Sequence, residues 1–124
     1  MKFDRKKPTV QMLGRWQPWH KGHTELFKRA ISKTGQVAIM IRNADGDNNP
    51  FDAYQIRNNI VDTLTKEGFL NTKDYIIIDV PNIVDISYGR GVGYTFTEHD
   101  LGKEIHNISA TKIRKKLREE SKLS

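Results

Sequence analysis

Two histidines, His20 and His23, stand three residues apart, with Lys21 and Gly22 between them. They follow a short apolar run and precede apolar residues at helical spacing, so they fall at the start of a helix. A helix start favours a phosphate, because it offers unpaired N–H groups and the positive end of the helix dipole. Gly22 lets a phosphate approach the backbone, and Lys21 adds a cation. The two imidazoles can donate hydrogen bonds to oxygens that gain charge in a transition state.

A second candidate anion site lies between Ile108 and Arg114, where the sequence reads Ile-Ser-Ala-Thr-Lys-Ile-Arg. Ser109 can cap a helix, and Thr111, Lys112 and Arg114 then place donors and cations in its first turns. Cations are locally unfavourable at a helix start, so they indicate a bound anion. A plain basic surface helix is the simpler alternative.

Simpler interpretations of the first site also stay open. His20 could be a core histidine with satisfied hydrogen bonds, and Trp16 and Trp19 could be packing residues. A zinc site is a third alternative. Because the chain has no cysteine, such a site would need His99 or His106 together with carboxylates.

The elements around these motifs alternate between strand and helix. We expect buried strands at 9–13, 37–41 and 75–80, a fourth from Ile83 to Tyr88, and a short fifth from Glu104 to Ile108. We expect helices from Gly22 or His23 to Gly35, from about Tyr54 to Gly68, and from Ser109 onward. This order predicts an α/β fold, with a doubly wound sheet of about five parallel strands and helices on both faces. The ligand crevice then lies at the carboxyl ends of the strands.

The composition is that of an ordinary soluble domain, with 124 residues, 36% of them hydrophobic and 29% charged. We expect one domain over residues 1–124, with a basic arm at 1–7 and a polar tail at 118–124. No window reaches the roughly 18 consecutive apolar residues of a membrane span, and no apolar stretch follows the first residues as in a signal peptide. These features predict a cytoplasmic protein without a membrane partner.

The formal net charge of +6 predicts anionic partners. The basic residues concentrate at the two ends of the chain, whereas duplex-binding domains usually spread them along one face. We therefore expect no nucleic-acid partner. The remaining nucleic-acid alternative is a binding module that uses the basic ends, with Trp16 and Trp19 as stacking platforms.

The two motifs together resemble those of the cytidylyltransferase-like superfamily of nucleotidyltransferases. Its marks are His-x-Gly-His after the first strand and Ile-Ser-x-Thr-x-Ile-Arg at the last helix, and the resemblance runs from about Val10 to Leu117. The string Gly-Arg-Trp-Gln-Pro-Trp-His-Lys-Gly-His, from Gly14 to His23, is similar to the version in archaeal-type nicotinamide-mononucleotide adenylyltransferases, as is Asn-Pro-Phe at 49–51. The stretch 81–94 also resembles a cytidylyltransferase-related domain fused to some bacterial adenylylsulfate kinases.

The resemblance implies a Rossmann-like fold and the transfer of a nucleoside monophosphate from ATP or CTP to a phosphorylated small-molecule acceptor, with release of pyrophosphate. The motif comparison favours AMP as the transferred group. A cytidylyltransferase with a glycerol-phosphate-like acceptor, a nucleotide sensor without turnover and the nucleic-acid module remain as alternatives. Magnesium is implied as the counter-ion of the triphosphate. A homodimer is suggested by analogy only.

The resemblance also implies roles for single residues. The catalytic residues are expected to be His20, Lys21, His23 and Arg114, and the nucleotide-binding residues Gly14, Arg15, Trp16, Gln17, Gly22, Ser109, Thr111 and Lys112. Tyr88 and Arg90, at the end of the expected fourth strand, are candidates for acceptor recognition, with a glycine-rich structural turn as the alternative. Asp45, Asp47 and Asn48 could contact magnesium or simply form a solvated loop.

Overall fold

The computed structural model describes residues 2–44, 46, 49–91, 93, 95–99 and 101. Within them the element order is β1 (Val10–Gly14), α1 (Lys21–Thr34), β2 (Val37–Arg42), α2 (Ala53–Lys66) and β3 (Tyr75–Val80). The three strands form one parallel sheet in the order β1-β2-β3. The first three expected strands and the two helices between them are therefore confirmed, with bounds shifted by a few residues. In this part of the chain, no helix is both long and apolar enough to cross a membrane.

The fourth strand expected from Ile83 to Tyr88 is not formed. The backbone turns directly after β3, where the Ile83 N–H donates to the Pro81 carbonyl at 2.7 Å, and the following segment has no ladder partner among the described residues. Val84 and Tyr88 are exposed, so the apolar and polar alternation of this segment does not correspond to a buried face. The expected fifth strand and the helix from Ser109 lie outside the described residues.

The helices α1 and α2 pack on the same face of the three-stranded sheet. Right-handed crossovers between strands that follow one another in spatial order require this arrangement. One hydrophobic core accordingly contains Phe27 from α1, Ile60 from α2 and the alternate residues Val37, Ile39 and Ile41 of β2. A second helix layer needs the strand order to reverse, and the described strands do not reverse it. The expectation of helices on both faces is thus not met in this region.

The core is held by dense apolar contact around β2, the central strand. Phe27 lies edge-on to both Phe69 and Tyr75, with ring centroids 4.9 and 5.7 Å apart. Burying a side chain of this kind stabilises the fold by about 1.5 to 3 kcal/mol. Because all three strands are parallel, their carboxyl ends and the amino termini of α1 and α2 meet at one edge of the sheet. We call this the carboxyl edge.

The basic arm is attached to the opposite edge. The buried amide of Gln36 donates to the Asp4 carbonyl at 2.6 Å and to Thr9 Oγ1 at 2.7 Å, and its Oε1 accepts from the Asp4 N–H at 3.1 Å. Gln36 immediately precedes β2, so it lies where the strands begin. The cations of the arm are therefore separated from the carboxyl edge by the length of the sheet.

We predict that Gly14→Ala destabilises the protein. A Cβ at Gly14 would lie 2.8 Å from the Trp16 ring, which is buried and cannot easily move. Overpacking of this kind costs about 1 to 3 kcal/mol in the free energy of unfolding, measured by denaturant titration. Gly89→Ala is the matched control, because Gly89 has open space around its Cα and no positive φ. Equal stability of the two variants would contradict the prediction.

Candidate active site

The loop between β1 and α1 is fixed by two buried tryptophans. Trp16 adopts a left-handed backbone conformation with φ 54°, and its indole N–H donates to the Met40 carbonyl at 3.0 Å. The Trp19 indole N–H donates to Thr24 Oγ1 at 2.9 Å, and the two indole rings are 4.9 Å apart. With 6% and 4% of their surfaces exposed, these side chains belong to the core.

Burial of both indoles changes their expected role. The interpretation of Trp16 and Trp19 as packing residues is confirmed, and neither ring presents a face on which a base could stack. The structure therefore contradicts the stacking platforms on which the nucleic-acid alternative depended. The left-handed conformation at Trp16 is unusual for a bulky residue, and such conformations persist only where the surroundings enforce them. Here the Met40 hydrogen bond and the contact with Gly14 do so.

The side chains of His20 and His23 cap the amino terminus of α1 by accepting hydrogen bonds from backbone N–H groups. His20 is the N-cap, and its Nδ1 accepts from the Gly22 N–H at 3.0 Å. The Nδ1 of His23 accepts from the His20 N–H at 3.1 Å, so the pair forms a capping box made of imidazoles. The rings stack with centroids 3.7 Å apart and an interplanar angle of 22°. The two capping hydrogen bonds therefore end the loop, begin the helix and place the two rings side by side.

This capping fixes the protonation of the rings. A neutral imidazole carries one proton, and because each Nδ1 accepts a hydrogen bond, the proton lies on Nε2. Burial lowers the pKa of His20, and burial together with the charge of His20 lowers the pKa of His23 to about 3. Both rings are therefore neutral at pH 7. Among the described residues neither Nε2–H has a hydrogen-bond partner.

The site can therefore offer two neutral N–H donors to an anion. Lys21, the first residue of α1, is exposed and adds a positive charge, and Gly22, which lies between the two histidines in sequence, is buried. A zinc ion is poorly suited to the same place, since both Nδ1 lone pairs are used. The described residues also contain no cluster of three metal-binding side chains. His106, the further ligand considered from sequence, lies outside them.

A second loop is bound to the first one. Arg15 Nη1 donates to Asn49 Oδ1 at 3.3 Å. The buried Gln17 side chain forms a reciprocal pair with the Phe51 backbone, accepting from its N–H and donating to its carbonyl, both at 2.9 Å. These bonds join the residues after β1 to the residues that lead into α2. The relative position of the two loops is therefore fixed by side chains that sequence analysis had assigned to nucleotide binding.

A pocket of about 510 Å³ adjoins the histidine loop on the carboxyl edge. It is lined by the ends of β2 and β3, by residues 49–53 and by Gln17. Arg42, the last residue of β2, donates from Nη1 to the Ile83 carbonyl at 3.2 Å. The Nε of Arg42 is buried, and the described part of the chain provides no partner for it. Asn43 is fixed by its amide, which donates to the Val80 carbonyl at 2.8 Å.

The structure brings together only part of the expected site. Six of the expected residues lie together at the carboxyl end of β1, namely Gly14, Arg15, His20, Lys21, Gly22 and His23. Trp16 and Gln17 are there too, but their side chains are buried and bonded within the chain. Tyr88 and Arg90 are exposed and do not line the pocket. Seven further candidates lie outside the described residues, namely Asp45, Asp47, Asn48, Ser109, Thr111, Lys112 and Arg114.

Sequence analysis missed three residues that line the pocket, namely Arg42, Asn43 and Asn82. The available signal was their position. Each follows or ends an apolar strand, and the carboxyl ends of parallel strands are where α/β proteins bind ligands. A charged or amide side chain at that place is a candidate on topology alone.

Comparison with curated proteins relates the chain to nucleotidyltransferase enzymes that carry the His-x-Gly-His motif, as the resemblance in sequence implied. The relatives are archaeal proteins named nicotinamide-nucleotide adenylyltransferase. The protein of Thermoplasma acidophilum is 34% identical over 64% of this chain and 44% of its own length. Those of Methanococcus maripaludis strain C5 and Methanococcus aeolicus are 28% and 27% identical over 86% and 84% of this chain.

The coverage of the relatives is uneven. The chain spans 44% of the Thermoplasma protein, 75% of the Methanococcus maripaludis protein and 64% of the Methanococcus aeolicus protein. No protein-family model matches the chain. The relationship to archaeal adenylyltransferases therefore rests on the individual proteins and on the motif geometry.

We predict that His23 makes the fold less stable in acid. The ordinary histidine pKa is about 6.5 and that of folded His23 is about 3, so the unfolded chain binds more protons between these values. The free energy of unfolding then falls as the pH drops below about 6.5, by up to about 1.4 kcal/mol per pH unit for this group. Denaturant titrations from about pH 7 down to about pH 4 would measure the slope.

His23→Gln is the matched variant for this test. Glutamine keeps an acceptor at the capping-box position and does not titrate. We expect the variant to show a shallower loss of stability in acid than the unchanged protein, since all other titrating groups are shared. Parallel pH profiles for the two proteins would contradict the prediction.

Proposed function

We propose that the protein is an adenylyltransferase, which transfers AMP from ATP to a phosphorylated small-molecule acceptor and releases pyrophosphate. The observation that carries this proposal is the pair of neutral Nε2–H donors of His20 and His23, set side by side at the amino terminus of α1. The names of the archaeal relatives support adenylyl transfer in particular.

The proposed reaction needs electrostatic stabilisation more than proton transfer. An oxygen of the acceptor phosphate attacks the α-phosphorus of ATP and forms the new O–P bond. The bond from the α-phosphorus to the bridging oxygen breaks, and its electron pair leaves with pyrophosphate. Because the attacking oxygen is already anionic, no general base is required. Charge builds on the α- and β-phosphate oxygens, where the His20 and His23 donors would bind it most strongly.

The triphosphate also needs positive charge. Arg15 and Lys21 lie next to the histidines and are proposed to balance it. Magnesium is proposed to arrive bound to the triphosphate as part of the substrate. The resemblance adds a further set of proposed contacts to the β and γ phosphates, from Ser109, Thr111 and Arg114.

The pocket beside the histidine loop is the proposed acceptor site. Gln17 lines the pocket and belongs to the same loop as His20, so an acceptor there would lie next to the α-phosphate. Nicotinamide mononucleotide is the first acceptor to test, because the relatives are named for that nucleotide. The lining includes amide groups that can bind hydroxyl or carboxamide groups, among them Asn43 and Asn82.

We predict that His20→Asn abolishes most of the activity while preserving the helix cap. Asparagine is a favourable N-cap and keeps an acceptor for the Gly22 N–H, but it lacks the Nε2–H donor. Loss of one such donor commonly costs about 100-fold to 1000-fold in turnover. The measurement is pyrophosphate release from ATP in the presence of nicotinamide mononucleotide or other phosphorylated acceptors.

His99→Asn serves as the control, because His99 does not line the pocket and lies far along the chain from the capping box. We expect it to retain full turnover. Undiminished activity of His20→Asn would exclude the proposed role of the imidazole pair. Calorimetry with ATP and CTP identifies the donor, and ATP binding without pyrophosphate release over the acceptor panel would indicate a nucleotide sensor.

A further inference from the structure

The guanidinium of the half-buried Arg42 has hydrogen-bonding capacity that the described chain does not use. Its Nη1 donates to the Ile83 carbonyl at 3.2 Å, which holds the segment after β3. Its Nε is buried and has no partner among the described residues. An unpaired buried N–H of a charged group is costly, so an anion that balances the charge of this guanidinium would bind favourably.

Arg42 stands where an acceptor would meet ATP. In the parallel register Ile41 pairs with Gly14, so Arg42 comes one residue after the partner of the strand end that leads into the histidine loop. Neighbouring strands lie about 4.8 Å apart. Arg42 also lines the 510 Å³ pocket that Gln17 shares from the side of that loop. The guanidinium therefore belongs to the pocket wall next to the proposed phosphate site.

No carboxylate of the described residues neutralises Arg42. Their ion pairs involve Lys28 and Arg57 only. Asp52 is the acidic residue that lines the same pocket, and its Oδ1 accepts from the Gln55 N–H at 2.8 Å as the N-cap of α2. The amino end of a helix favours that negative charge, so Asp52 is stabilised without Arg42. Among the described residues the Arg42 guanidinium therefore has no carboxylate counter-ion.

We propose that Arg42 binds an anionic oxygen group of the acceptor, a phosphate or a carboxylate. The Nη–H groups of a guanidinium form a planar set of donors that fits the oxygens of either group. The exposed Asn82 amide on the same wall can donate to a third oxygen. The inference rests on the proposed function for the identity of the ligand, and it makes Arg42 a specificity-determining residue for the acceptor.

The experiment follows the Arg42 Nε–H signal by NMR in the full chain. The signal is assigned by its absence in Arg42→Lys. Inorganic phosphate, acetate and chloride are titrated separately at matched ionic strength, up to concentrations on the order of 10 mM, which detects millimolar affinity. We expect a saturating shift with phosphate or with acetate beyond that with chloride, and the more effective anion identifies the group. Equal responses to all three salts would overturn the proposal.

The Arg42→Lys variant then separates binding from a purely structural role. Lysine keeps the charge but loses the paired donors, so we expect about tenfold weaker phosphate binding and a raised acceptor KM, with the KM for ATP unchanged. If Arg42 acted only through its bond to Ile83, any change in the acceptor KM would follow the loss in the free energy of unfolding, as measured by denaturant titration. An unchanged acceptor KM would contradict the assigned role.

A third variant distinguishes this inference from the proposed function. The double variant His20→Asn and His23→Gln lacks both proposed triphosphate donors and keeps Arg42. We expect its Arg42 Nε–H signal to respond to phosphate as in the unchanged protein, because the two anion sites are separate. A lost response would place the phosphate at the histidines and reject the Arg42 site. A retained response without pyrophosphate release from the unchanged protein would reject adenylyl transfer while leaving the anion site.

Discussion

The reciprocal capping of α1 by two imidazoles is the interaction on which the site depends. Each Nδ1 accepts a backbone N–H, from Gly22 for His20 and from His20 itself for His23. The same two bonds start the helix, stack the rings and leave the proton of each ring on Nε2. Folding therefore uses Nδ1 of each ring, and the proposed chemistry uses Nε2 of the same side chains. A pair of neutral donors is preorganised before any ligand binds, which is the condition under which such donors act most strongly.

The capping geometry is in turn held by the loop that leads to it. The Trp16 indole closes over Gly14 and bonds β2, while Trp19 bonds the first turn of α1. Gln17 joins this loop to the Phe51 backbone. Side chains of a nucleotide-binding motif thus serve as supports that set two loops and a pocket at fixed positions. Supports of this kind keep donors within the narrow tolerances that catalysis requires.

Much of the fold followed from the sequence, because apolar runs and helical periodicity are local signals. The strands β1, β2 and β3 and the position of His20 and His23 at the start of a helix were predictable in this way. The prediction of a fourth strand was wrong, because the alternation over 83–88 does not show whether a neighbouring strand exists to pair with it. The roles of Trp16 and Gln17 required tertiary contacts with β2 and with Phe51. Arg42 was missed because its significance lies in a buried Nε, which no spacing reveals.

The anchoring of the basic arm through Gln36 has a practical consequence. It fastens the first residues beside Asp4 and Thr9 to the sheet edge where the strands start, while the imidazoles and the pocket lie where they finish. A fused domain or an affinity tag attached ahead of Lys2 would project away from the ligand entrance. Tethering the protein to a sensor surface by that end would accordingly leave its carboxyl edge facing the solution.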